Sequence, residues 1–276
     1  MFAQSHSLEQ PTIPQLLPMF EELLPVQVIR QLIRDTGKTF YERLFTPLVI
    51  VWALVFQRLN SDHPCDEALS HIAGGAVDHL DDRHEIPLSE RILSENTAAY
   101  CKARQRLPQP VLAGALKYTA SVTRQWLGDN GLWLGHHVGL LDGSTFLLRP
   151  EPELMAHYGC HENQYGKTYW VVMRSVASFC LRSGALLDVA EGSLHESEQA
   201  LAAILLAQAV PNSVCCGDSN FGIFSVIQAA RQYEVLVVFR MTRRRARALA
   251  GHKMTPGQVM LFACAGSDSV PLRSHL

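Results

Sequence analysis

Apolar and polar positions follow two rhythms along the chain. From residue 8 to 128 the spacing is helical. Pro14 to Asp35 carries Leu16, Leu17, Phe20, Leu23, Leu24, Val28, Ile29, Leu32 and Ile33 on one face, which predicts an amphipathic helix. Thr46-Pro47 opens an apolar helix, with Thr46 as N-cap and Pro47 in the first turn. Asp62 to Leu80, Ser94 to Arg106 and Pro110 to Leu127 read as three further helices, and Gly128-Asp129-Asn130-Gly131 breaks the pattern. Beyond it the texture turns to β. Leu132 to Leu148 reads as strand, Pro150 to Lys167 as loop, and Tyr169–Leu181 with Ala185–Glu191 as a hairpin about Arg182-Ser183-Gly184. Ser197–Val210 (helix), Asn212–Asp218 (strand), Phe221–Tyr233 (helix) and Glu234–Met241 (strand) follow. The order β-β-β-α-β-α-β predicts an α/β fold, with a mixed sheet covered by helices behind an all-α N-terminal region. The expected divisions are residues 1–128, 129–253 and a tail of 254–276.

Composition narrows the classes. Of 276 residues 47% are hydrophobic and 18% charged, which excludes disordered, collagen-like and coiled-coil chains. Leu48 to Phe56 is the most apolar stretch; a membrane span needs about 20 residues, so a buried helix is expected and no membrane partner. Met1–Gln10 has neither a basic nor an apolar run, so no signal peptide is expected. The 7 cysteines contain no Cys-x-x-Cys pair and read as reduced thiols in a cytoplasm.

Net charge is only −2, but the charge comes in blocks. Leu59 to Glu90 is acidic. Lys102, Arg104 and Arg106 cluster at a helix end, and Arg240, Arg243, Arg244, Arg245 and Arg247 lie close together, with Lys253 following. Such blocks suit either solvated surfaces or contact with an anionic polymer, DNA above all. Arg240, directly after a strand, is the leading phosphate candidate.

Two aspartates stand out. Asp142 interrupts the apolar run Val138 to Leu148, and Asp218 ends the strand Ser213 to Asp218 ahead of a helix. Taken singly, each reads as a turn or cap residue. A carboxylate buried without a partner is costly unless it binds a cation. Glycine and serine neighbours (Gly143, Ser144, Gly217, Ser219) leave room for an ion. If the first and fourth strands are neighbours, the two carboxylates converge at strand carboxyl ends, a donor set suited to Mg²⁺ and to phosphoryl transfer.

Leu141-Asp142-Gly143-Ser144-Thr145-Phe146, Gly217-Asp218-Ser219-Asn220-Phe221, Ser197-Glu198, the strand ending Val237-Val238-Phe239-Arg240 and the upstream Tyr100 to Pro108 stand in order. This set resembles the DDE transposases of bacterial insertion sequences, most of all the group whose third motif is Tyr-Arg-Glu-Lys. The resemblance covers residues 30–250 or so. It implies a ribonuclease-H-like core, Asp142 and Asp218 as the first two catalytic, metal-binding acids, and Mg²⁺ (or Mn²⁺) as cofactor. It also implies cutting and joining of transposon ends and target DNA by a nucleoid-associated protein, possible as a homodimer. The family's third acid is a glutamate on a later helix, and no glutamate follows Arg240 here. The expectation is therefore an incomplete, inactive transposase with part of its sheet exposed. The alternative is a non-catalytic DNA-binding fragment that competes with intact transposase. Glu191, Glu196 and Glu198 precede the second aspartate and read as lying in the wrong segment; Asp188, on a strand, is a weaker stand-in.

Rival constellations are thin. Gly166-Lys167-Thr168 lacks the glycine five positions earlier that a phosphate loop needs, that position being His161. His157, Cys160 and His161 have no second pair to complete a tetrahedral zinc site. Cys215-Cys216 and the tryptophans Trp52, Trp126, Trp133 and Trp170 read as packing residues.

Overall fold

A computed structural model describes residues 13–38, 40, 44–59, 64–81, 84–94, 96–163 and 166–250. The expected tail 254–276, Lys253 and the Asp62 start of the acidic helix lie outside the described residues. The chain divides into two compact units between Val122 and Thr123.

The first unit is helical. The expected helix over Pro14–Asp35 is two, α1 (Ile13–Leu23) and α2 (Val26–Asp35), because Pro25 stands as N-cap of the second and cannot continue the first. Then come α3 (Pro47–Leu59), α4 (Cys65–Ala73), a 3₁₀ turn at Asp78–Leu80, α5 (Leu88–Arg91), α6 (Ala98–Arg106) and α7 (Gln109–Leu127). The Thr46 hydroxyl accepts from Val49 N–H at 3.3 Å, as a helix cap should.

Helix α3 is apolar all round and is the core of this unit: Leu48, Val49, Ile50, Val51, Trp52, Ala53 and Phe56 are all buried. Trp52 packs against Phe20 (5.2 Å between ring centroids) and His71 (6.2 Å). The side-chain carbonyl of buried Gln57 accepts from the Tyr100 hydroxyl at 2.7 Å. Part of the acidic block is structural: the Asp78 carboxylate accepts from Ser89 N–H (2.8 Å) and its hydroxyl (2.6 Å), and Asp81 pairs with Arg91. Among the described residues no helix is long and apolar enough to cross a membrane.

The second unit holds the sheet. After a 3₁₀ turn at Gly128–Gly131, β1 (Leu132–Trp133) and β2 (His136–Leu148) form a hairpin. Its two-residue turn has positive φ at Leu134 and Gly135, the backbone a tight hairpin demands. Next come α8 (Pro152–Tyr158), β3 (Cys160–Asn163), β4 (Gly166–Cys180), β5 (Leu186–Ser193), α9 (Glu198–Gln208), β6 (Val214–Gly217), α10 (Phe224–Gln232), β7 (Leu236–Phe239) and α11 (Arg243–Ala250). The expected loop over Pro150–Lys167 thus contains a short helix and a strand. Elements are too short there for apolar periodicity to register, and Pro152 in the first turn is the local start signal.

The fold is α/β with a mixed sheet. Strands β5, β4 and β2 are antiparallel neighbours, while β2, β6 and β7 are parallel. One face packs Leu141, Val176, Ala190 and Cys215 against Leu201, Ala202, Leu205 and Leu206 of α9 and against Val226 and Ala230 of α10. The alternate positions lie on the other face. Phe179, Leu140, Cys216 and Val238 form one cross-strand row there. Leu140, Val238 and Leu236 are exposed, Val238 by 56%. Of the four tryptophans only Trp52 is a core residue; Trp126, Trp133 and Trp170 are exposed.

Two outcomes follow. Leu201→Ala, emptying a fully buried site, should cost about 2–5 kcal/mol in urea unfolding, whereas Val238→Thr on the open face should stay within about 0.5 kcal/mol. His71 stacks on Phe56 at 4.1 Å, its Nε2 is buried with no hydrogen-bond partner among the described residues, and burial lowers its pKa from 6.5. The unfolded chain therefore takes up a proton that the folded ring resists. Stability should be flat above about pH 6.5 and fall as pH drops through it toward the lower folded pKa. The melting temperature measured across that range should show this slope, and His71→Phe should flatten it.

Candidate functional site

Strand β2 runs parallel to β6 with Val138 opposite Val214, Gly139 opposite Cys215 and Leu140 opposite Cys216. Asp142 stands two residues beyond Leu140 within β2, and Asp218 two residues beyond Cys216, in the turn after β6. The first and fourth main strands are thus neighbours, and their recorded pairing ends at Leu140 and Cys216, two residues before each aspartate. Asp142 shares its face with Leu140, and Asp218 follows Cys216 by the same two-residue step.

Neither aspartate is buried; both are exposed to solvent. Asp142 sits mid-strand, paired with Ala177 of β4. Asp218 begins the turn after β6, and its Oδ1 accepts from Asn220 N–H at 2.8 Å. Both positions offer hard oxygen donors in open surroundings, which suits a hydrated Mg²⁺ better than a soft metal. Among the described residues no group of three or more His, Cys, Asp or Glu side chains is placed to hold a metal.

Glu198, which its place in the sequence separates from both aspartates, is brought to this corner by the fold. It opens α9 after the N-cap Ser197, whose hydroxyl accepts from Ala200 N–H at 3.1 Å. Its carboxylate lies over Gly143: a Cβ built there would fall 2.7 Å from Glu198 Cδ and 2.8 Å from Oε2. Oε2 accepts from Asn220 Nδ2 at 2.5 Å. The available sequence signal is the glycine following Asp142. Asp188 faces Ser178 on β5, with β4 between it and β2, and Glu196 is used locally, accepting from Ser193 N–H at 2.7 Å.

The basic residues part company. Arg243, Arg244 and Arg247 of α11 are exposed, as is Arg240 just after β7. Arg245 is half-buried and donates from Nη1 to the Ser219 and Gly222 carbonyls at 2.5 and 3.3 Å. In the first unit Lys102 and Arg106 are exposed, while Arg104 lies 5.6 Å from the Tyr100 ring and donates to Gln57 Oε1 at 3.3 Å. The rival sites gain nothing. Gly166 opens strand β4, with no helix following, and the His157 ring packs edge-on against Tyr158 at 4.6 Å. Burial pushes the Cys215 thiol up to about 12, with Cys216 adding to the shift, so it is a protonated packing group.

No family model matches the sequence. Over 127 residues the chain is 30% identical to “Putative transposase InsZ” of Escherichia coli (strain K12). This chain is similar to a protein named as a transposase. The matched stretch is 45% of the chain and spans 42% of that relative, under half its length.

Gly143→Ala should displace the Glu198 carboxylate, the flexible end of its side chain, at a cost of no more than about 1 kcal/mol. Glu198→Ala made in that background should recover much of the loss. Urea unfolding of the four proteins measures the coupling; strictly additive effects would remove the close contact.

Proposed function

We propose that this chain has a transposase-type function: it binds DNA and presents Asp142 and Asp218, on a ribonuclease-H-like core within residues 129–253, as metal-binding acids for strand cleavage and transfer. The observation that carries this reading is the parallel β2–β6 register, with its common offset to the two aspartates. The similarity to the Escherichia coli protein supports the same class.

Asp142 and Asp218 would hold Mg²⁺ or Mn²⁺ through carboxylate oxygens. A divalent ion held by these residues would supply positive charge for a scissile phosphate and would lower the pKa of a water. The chain's own residues then orient DNA. Arg240, Arg243, Arg244 and Arg247 would neutralise backbone phosphates beside the acids, and Lys102, Arg104 and Arg106 would form a second contact region within residues 1–128. The small residues Gly143 and Ser219 leave space for the nucleic-acid backbone.

A second reading is favoured by a specific observation. No glutamate stands among residues 235–276, and the described residues hold no three-ligand group. Two carboxylates alone bind Mg²⁺ weakly, so these residues by themselves would bind DNA without cutting it and compete with a transposase for the same DNA.

The two readings share DNA binding and differ in cleavage. DNA affinity should fall steeply with salt, and replacing Arg243, Arg244 and Arg247 together by Ala should flatten the log–log slope by about 0.9 for each phosphate they neutralise. Affinity independent of salt would overturn both readings. Nicking of supercoiled DNA that needs Mg²⁺ and is lost in Asp142→Asn would establish the enzyme; absence of nicking with salt-sensitive binding would establish the competitor.

A further inference from the structure

The turn that carries Asp218 is held from two sides. On one side Asn220 is the hub. Its backbone N–H donates to Asp218 Oδ1 at 2.8 Å, and its side-chain Nδ2 donates to Glu198 Oε2 at 2.5 Å. Gln199 Nε2 donates to Asn220 Oδ1 at 2.6 Å and to its carbonyl oxygen at 3.1 Å. One carboxamide is thus gripped by two successive residues in the first turn of α9. The bond to Glu198, whose acceptor is a carboxylate, belongs to the stronger class. On the other side Arg245 of α11 reaches the Ser219 and Gly222 carbonyls. A planar guanidinium with several donors suits two carbonyl acceptors better than an ammonium does.

The grip also reaches β2. Glu198 has room because residue 143 is glycine, so its carboxylate rests against β2 at Gly143, on the face opposite the Asp142 side chain, while it holds Asn220. A continuous series of contacts runs from the neighbour of one aspartate to the backbone that fixes the other. An exposed carboxylate on a turn samples several positions unless its backbone is fixed, and a divalent ion shared by two carboxylates rewards fixed spacing.

We propose that Asn220 and Arg245 are positioning residues that hold Asp218 level with Asp142 for a shared divalent cation. The proposal rests on the metal-site reading given above. It takes Arg245 out of the set of free phosphate contacts and gives it a mechanical task.

Mn²⁺ titration of the full chain, followed by electron paramagnetic resonance, reads the effect. Asn220→Ala and Arg245→Gln should each weaken Mn²⁺ binding about tenfold, the scale of one hydrogen bond. Arg247→Gln, on the same helix but exposed, should leave binding within about twofold. Arg245→Lys should restore part of the loss, which a merely destabilised fold would not do; unchanged circular dichroism checks the fold. If Asn220→Ala does not fold, Asn220→Ser takes its place. Wild-type affinity in both Asn220→Ala and Arg245→Gln overturns the proposal. If the wild type binds no Mn²⁺, or binds it equally well as Asp142→Asn, the metal reading itself fails. Hydrogen exchange then decides whether the turn is held. Amides 219–222 should exchange about tenfold faster in Asn220→Ala and Arg245→Gln than in Arg247→Gln, and equal rates overturn the clamp.

Discussion

The arrangement of the second unit depends on the parallel pairing of Val138–Leu140 with Val214–Cys216. It is short, and parallel pairs are no stronger per residue than antiparallel ones. Its strength comes from what lies over it. Cys215 belongs to the same buried cluster as Leu141, Leu201 and Phe221. A strand set next to β2 by this cluster cannot slip by one residue without exchanging its buried and exposed faces. Packing of a few apolar side chains therefore fixes the register, and the register fixes how far along their strands the two aspartates stand.

The same topology explains why α9 and α10 lie on one face of the sheet. β5 leads through α9 to β6, and β6 through α10 to β7, each link joining parallel strands and moving across the sheet in one direction. Crossovers of this kind are right-handed almost without exception, so successive steps in one direction put their helices on one side. The opposite side keeps the row Phe179, Leu140, Cys216 and Val238, together with exposed Leu236 and Val189.

Long elements with regular apolar spacing are legible in the sequence. The apolar α3, the hairpin about residues 182–184 and the alternation of strands and helices after residue 197 all stand close to their expected bounds. The antiparallel and parallel halves follow from that order. The short α8 and β3 are not legible, because PELMAHY is interrupted by polar residues and CHEN is mostly polar, whereas the short β6 and β7 show as the apolar runs VCCG and LVVF. Pro25 is plain in the sequence, yet one amphipathic face runs straight through it, so periodicity alone reads a single helix where there are two. The two aspartates stand out as charges in or at the end of apolar runs, but exposure, not burial, is their setting, because β2 turns one face to solvent. Glu198 lies far along the chain from Asp142 and ahead of Asp218. Only the crossing of α9 over the sheet brings it to Gly143, and no spacing rule along the chain conveys that.

Gly143 gives this geometry a lasting signature. The hydrogen that stands where other residues carry a methyl is the seat of an acidic group contributed by a distant helix. Residues 143 and 198 are therefore one packing unit in two places. A lineage that enlarges the first has to shorten or redirect the second, and Asn220 then keeps only its hold from Gln199. Among descendants of this sequence, the record of that dependence would be paired change at two sites that look unrelated when read in order.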